Sequence, residues 1–165
     1  MGRAFPGHQA QRVLAVMLGL LIASFSFAPT RGAVTTELVV ADRIAGVALY
    51  GFDPVAYFLD GKALAGTKAY ELDFGGLSWR FRNEANRAAF AASPEVYVPR
   101  FGGYDPVALA RGVPLPGHPA LFVVHDGHLF LFSSPENRKA FLARPEMTAA
   151  AAKSAWPKVR RTLLP

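Results

Sequence analysis

The chain has 165 residues, of which 52% are hydrophobic and 18% charged, with 15 Gly, 13 Pro and no Cys. These proportions fit one ordinary globular domain or two very small ones, and the missing cysteine excludes disulfides, thiolate zinc sites, iron–sulfur clusters, a cysteine nucleophile and a lipidated N-terminal cysteine. The formal charge of +6 is no nucleic-acid signal: residues 1–32 carry Arg3, Arg12 and Arg31 and no acid, leaving 15 basic against 12 acidic side chains and no dense basic stripe.

Arg3, His8 and Arg12 precede an apolar run from Val13 to Ala28, broken only by Gly19, Ser24 and Ser26. A bilayer span needs roughly 20 apolar residues, so this shorter run behind a basic edge reads as a cleavable secretory signal peptide. Ser26-Phe27-Ala28 offers one cleavage point, ahead of Pro29; Thr30-Arg31-Gly32, ahead of Ala33, is preferred. The expected remainder is periplasmic or secreted, with neither membrane nor nucleic acid as partner. It opens with an extension over 33–48, in which Thr36–Val40 reads as a strand; Val47–Tyr50 reads as a second strand leading inward.

Beyond it the sequence repeats. Gly51-Phe52-Asp53-Pro54-Val55-Ala56 returns as Gly103-Tyr104-Asp105-Pro106-Val107-Ala108, at an offset of 52. At an offset of 51, Gly61, Leu64 and Gly66 return as Gly112, Leu115 and Gly117, and Asn86-Arg87 as Asn137-Arg138. Phe81, Ala89-Phe90 and Pro94-Glu95 return likewise as Phe132, Ala140-Phe141 and Pro145-Glu146. The spacing predicts a duplicated unit over 49–99 and 101–150, followed by a tail over 151–165.

Each copy opens on an Asp-Pro turn, in which Asp bonds its own backbone and Pro sets φ. A hairpin follows: Ala69–Phe74 and Leu77–Phe81 around Gly75-Gly76, then Ala120–His125 and His128–Phe132 around Asp126-Gly127. Asn83 and Ser134-Pro135 then supply helix starts, Phe90 and Phe141 pack down from the helices, and Pro94 and Pro145 end them. Ala149–Leu164 reads as a closing helix in which Trp156-Pro157 forms an aromatic clamp. A unit of about 50 residues buries too little surface to stand alone, so the expected fold is α+β, two hairpin–helix units packed as one pseudo-repeated domain.

The run Gly46-Val47-Ala48-Leu49-Tyr50-Gly51-Phe52-Asp53-Pro54-Val55-Ala56-Tyr57-Phe58 resembles the opening of exported bacterial YHS-domain proteins. Leu77–Phe81, Asn86-Arg87, Phe90, Pro94, Tyr97, Phe101-Gly102-Gly103-Tyr104 and Ala155-Trp156-Pro157-Lys158 are similar to the rest of that module. The likeness covers nearly all of the chain after the leader. Metal-associated members of the wider YHS and TRASH-like group carry three cysteines per module. The resemblance places these on Ala56, Arg82 and Asn86, and on Ala108, Ser133 and Asn137. The Tyr-His-Ser stretch that names the domain is represented by Phe74-Gly75-Gly76 and His125-Asp126-Gly127. The resemblance therefore implies the fold without the thiolate metal chemistry.

Few residues stand out as chemical candidates. His125 and His128 flank a two-residue turn, which sets their Cβ atoms about 5 Å apart on one face, a spacing at which two imidazoles can share Cu or Zn with help from Asp126 or His118. The alternative is a solvated hairpin end. Asp53 and Asp105 read as turn formers rather than an acid–base pair. Arg87 and Arg138, in first helical turns where the dipole disfavours cations, are expected to bridge to those aspartates. Tyr50, Phe52, Tyr57 and Phe58, with Phe101 and Tyr104, read as core or as the wall of a pocket between the copies. No phosphate loop, nucleophile elbow or His-Glu-x-x-His motif is present. The leading expectation is a non-enzymatic binding or accessory module for a small ligand, a metal ion or a partner protein. The alternatives are a small enzyme or enzyme subunit and a structural interaction domain.

Overall fold

A computed structural model describes residues 39–42 and 45–163; the expected signal peptide, and residues 36–38 of the first expected strand, lie outside the described residues. Strands β1 (Ala41–Asp42) and β2 (Val47–Ala48) lead in. Then come α1 (Ala56–Leu59), β3 (Thr67–Phe74), β4 (Leu77–Phe81), α2 (Glu84–Ala92) and α3 (Pro94–Tyr97). The same order of helix, hairpin and helices follows: α4 (Pro106–Leu109), β5 (His118–His125), β6 (His128–Phe132), α5 (Pro135–Ala143) and α6 (Pro145–Leu163). The fold is α+β. One sheet runs β1-β2-β4-β3, with only β2 and β4 parallel, and the second is the β5-β6 hairpin.

Local chemistry explains the elements. Gly75-Gly76 and Asp126-Gly127 all have positive φ, as a two-residue hairpin turn matching strand twist requires. Asn83 and Ser134 cap α2 and α5, their side chains accepting from the Asn86 and Asn137 amides at 2.8 and 3.2 Å. At Gly66 and Gly117 a Cβ would collide with the Arg80 backbone and with Leu131, so the repeated glycine marks a close approach of the connection to β4 and β6.

Three expectations need correction. The strand expected over Val47–Tyr50 stops at Ala48, because Leu49, Tyr50 and Gly51 turn left-handed at φ 50, 52 and 85°. Phe101, Gly102 and Gly103 repeat that turn at 55, 63 and 86°. Val39 and Val40 are not strand either, although the Val40 amide donates to the Gly102 carbonyl at 2.6 Å. The closing helix begins at Pro145, not Ala149, and so runs across the boundary drawn at 150, because Pro145 both follows α5 and supplies the first turn of α6. Trp156 on α6 does clamp, with its ring 6.1 Å from Phe101 and 5.8 Å from Tyr104.

Tyr50 is 50% exposed yet held at positive φ, where the matching residue of the second turn is Gly102. Relief of this strain in Tyr50→Gly is expected to raise stability by about 0.5–1 kcal/mol, net of glycine's entropy, as an increase in the urea midpoint.

Two clusters form the core. Phe130 and Phe132 on β6 join Phe101, Phe141, Trp156 and Val159 in one. Leu129 and Leu131, on the opposite face of the same strand, join Leu49, Val55, Tyr57, Trp79, Phe81 and Phe90 of the first half in the other. β6 is thus covered on both faces. Tyr57 ties the halves: its ring meets Phe122 edge-on at 4.8 Å and its hydroxyl donates to the Pro119 carbonyl at 3.1 Å. Burial, helped by the nearby Asp53 charge, pushes the Tyr57 phenol well above its usual range, so it remains a donor.

Candidate functional site

The two Asp-Pro turns form polar hubs rather than reactive sites. Asp53 is fully buried; its Oδ1 accepts from the Val55 and Ala56 amides at 2.8 and 3.4 Å, and its Oδ2 from the Arg82 amide at 2.8 Å and Asn86 Nδ2 at 2.7 Å. Asp105, equally buried beside Pro106, repeats this with the Val107, Ala108 and Ser133 amides and Asn137 Nδ2, and adds Ser133 Oγ at 2.6 Å. Pro54 and Pro106, also buried, hold the turns. The six positions where the resemblance implies thiolates therefore converge, three on each aspartate, as hydrogen-bond donors to a carboxylate.

The expected bridges from Arg87 to Asp53 and from Arg138 to Asp105 do not form. Arg87 instead grips Glu84 on its own helix, at 2.8 and 2.6 Å, and holds that carboxyl below its usual range. Arg138 is exposed and makes no ion pair among the described residues. Asn86 and Asn137, one residue earlier, take the aspartates because the helix turns them toward the loop.

The histidines divide. His125 and His128 stand opposite each other at the end of β5-β6, as the turn implied. His118 pairs with Phe132 at the other end, roughly 20 Å along the strand, where its Nδ1 accepts from the Ala120 amide at 3.2 Å. It cannot assist the pair. Among the described residues no group of three or more His, Asp or Glu is placed to hold a metal ion.

The His125–His128 pair instead lines a cleft of about 240 Å³ between the hairpin turn, the Arg100–Gly103 turn and α6. Phe101, Phe130, Ala149 and Ala150 supply its apolar lining, and Arg100, Asp126, Glu146 and Lys153 join the histidines as its polar lining. His125 Nε2 lies 3.2 Å from Glu146 Oε1, and its ring stands edge-on to Phe141 at 6.2 Å. Desolvation first and the Arg100 charge second hold His128 below the usual histidine range, against a smaller opposing effect of Asp126. The cleft is built from the second hairpin, the Arg100–Gly103 turn and α6; of the aromatic residues read as core or pocket wall, Phe101 lines it and Tyr50, Phe52, Tyr57, Phe58 and Tyr104 do not. Arg100, Glu146 and Lys153 were missed by sequence reasoning. Only Arg100 left a signal: it stands before the second left-handed turn, where Ala48 stands before the first.

A lowered folded-state pKa at His128 fixes a sign. The unfolded chain takes up this proton near pH 6.5 and the folded chain only at lower pH, so the residue subtracts stability as pH falls below about 6.5 and nothing well above it. His128→Gln is expected to flatten the acid side of the stability profile, read as urea midpoints between pH 5 and 8.

The fold and site together define an α+β protein with a small, apolar-backed, charge-lined cleft. No family model, curated protein or solved structure matches the chain.

Proposed function

We propose that this chain is an exported, non-enzymatic binding module of the YHS group, and that it holds a small ligand in the His125–His128 cleft. One observation carries the reading. The first hairpin ends in Phe74 and Leu77, with Phe74 edge-on to Phe90 at 5.6 Å; the second, in the corresponding place, ends in two histidines beside an open cleft. Concave sites with an apolar lining and a few convergent polar groups are where small molecules bind. A binding role is favoured over turnover because the lining holds no hydroxyl or thiol for the His125–Glu146 pair to activate. Export rests on the leader pattern, and the family on the quoted motifs.

A Cu or Zn ion on His125 and His128 is the weaker reading, since among the described residues no third His, Asp or Glu is placed to complete a ligand set with them. Thermal unfolding of the protein purified from its export compartment tests the choice. A ligand present at about 100 times its Kd stabilises by about 2.7 kcal/mol, a clear rise in Tm, and His125→Ala with His128→Ala is expected to abolish that rise. Calorimetric binding of Cu(II) or Zn(II) tighter than about 10 μM would replace the small ligand with a metal. A protein that no ligand stabilises would end the proposal. Mass spectrometry of the same material is expected to show a chain beginning at Ala33.

A further inference from the structure

The cleft's charges are unevenly spent. Glu146 lies 3.2 Å from His125, Asp126 on the hairpin turn is the second acid of the lining, and Arg80, Arg82 and Arg87 elsewhere each have a carboxylate partner. Arg100 and Lys153 line the cleft and make no ion pair among the described residues; Arg100 lies over the Phe101 ring, 5.9 Å from its centroid. We infer that the cleft takes a small organic carboxylate, its anionic end between Arg100 and Lys153 and its apolar body against Phe101, Phe130 and the Ala149-Ala150 stretch of α6. The inference rests on the binding reading above and names the ligand class for that site.

Three further observations agree. Arg100 lies near enough to the hairpin turn for its charge to act, after desolvation, in lowering the His128 pKa, and it lines the same cleft. A volume of about 240 Å³ lies below the range that accommodates drug-sized ligands, which favours a body of few carbon atoms. The apolar lining would be wasted on an inorganic anion, whose oxygens need donors on every side. The first half, where Ala48 takes the place of Arg100 and Leu77 that of His128, has neither the cation nor the opening histidine and is not expected to bind.

Acetate, butyrate and benzoate are titrated into the protein, with benzamide as the neutral isostere of benzoate and inorganic phosphate as the anion without a body. Imidazole resonances of His125 and His128 and amides of Ala149 and Ala150 report the cleft. The expected result is affinity rising from acetate to benzoate, with benzamide at least tenfold weaker than benzoate. Lys153→Gln, an exposed change on α6, and Arg100→Gln should each weaken benzoate about tenfold, whereas Arg138→Gln, outside the cleft, should not. Benzamide binding as tightly as benzoate, or full affinity in Lys153→Gln, would overturn the carboxylate assignment while leaving a small-ligand cleft. Phosphate binding as tightly as benzoate would remove the apolar body from the proposal. If none of the carboxylates shifts the cleft resonances, the inference fails whether or not a different ligand is found by thermal unfolding.

Discussion

Asp53→Ala is expected to lower stability by about 3–5 kcal/mol, a large part of the roughly 5–15 kcal/mol available to a domain. For a chain of this size that is a fall in Tm of about 10–20 °C. The cost arises from what remains behind. Removing the carboxylate leaves the Val55 and Arg82 amides and Asn86 Nδ2 as donors around an empty space, at a site closed to water. Asp53→Asn separates geometry from chemistry. Both oxygens accept, so whichever one becomes an amide nitrogen faces two donors, and a loss of about 2–3 kcal/mol is expected with no change in size. Asp105→Ala should behave alike, since five donors meet there. Arg87→Ala provides the contrast: its partner is the exposed Glu84, and its urea midpoint should match that of the unaltered protein. An Arg87 variant as damaged as Asn86→Ala would contradict the hub.

What was legible in the sequence is what local chemistry decides. Gly-Gly and Asp-Gly turns, Asn and Ser caps, and the Asx geometry of Asp53 and Asp105 each involve residues a few positions apart, and each expectation matches the described bonds. The left-handed turn at Leu49-Tyr50 was illegible because neither residue advertises positive φ, whereas Gly102-Gly103 does so in the second turn. Charge alone points to Arg87 rather than Asn86 as the partner of Asp53. The helix chose by phase, since one residue rotates a side chain by about 100° and carries it from the aspartate loop to Glu84. The histidine pair could be read from its turn. Glu146 and Lys153 could not, and Arg100 left only its place before the second left-handed turn, because tertiary packing of that turn and α6 brings all three to it.

Leu131→Arg is expected to abolish folding, and the chain itself supplies the reason. On the outer face of the first hairpin the facing pairs are Glu71–Arg80 and Asp73–Ser78; on the second they are Phe122–Leu131 and Val124–Leu129. Period-two alternation sends Leu129 and Leu131 into the cluster shared with the first half, while Arg80 remains in reach of water and bonds Glu71 at 2.6 Å. One substitution thus places the first hairpin's residue in the second hairpin's environment. Leu131 is fully buried and no carboxylate faces it, so a guanidinium there would be a desolvated, unpaired charge costing at least about 5 kcal/mol, comparable with the whole stability. Leu131→Met should cost less than about 1.5 kcal/mol and Leu131→Ala about 2–5 kcal/mol, giving a graded series in urea midpoint. In the reverse direction Arg80→Leu breaks only a half-exposed pair and should move the midpoint by less than about 1 kcal/mol. A soluble Leu131→Arg protein that unfolds at the original midpoint would mean that the second hairpin's outer face is not packed against the first half at all.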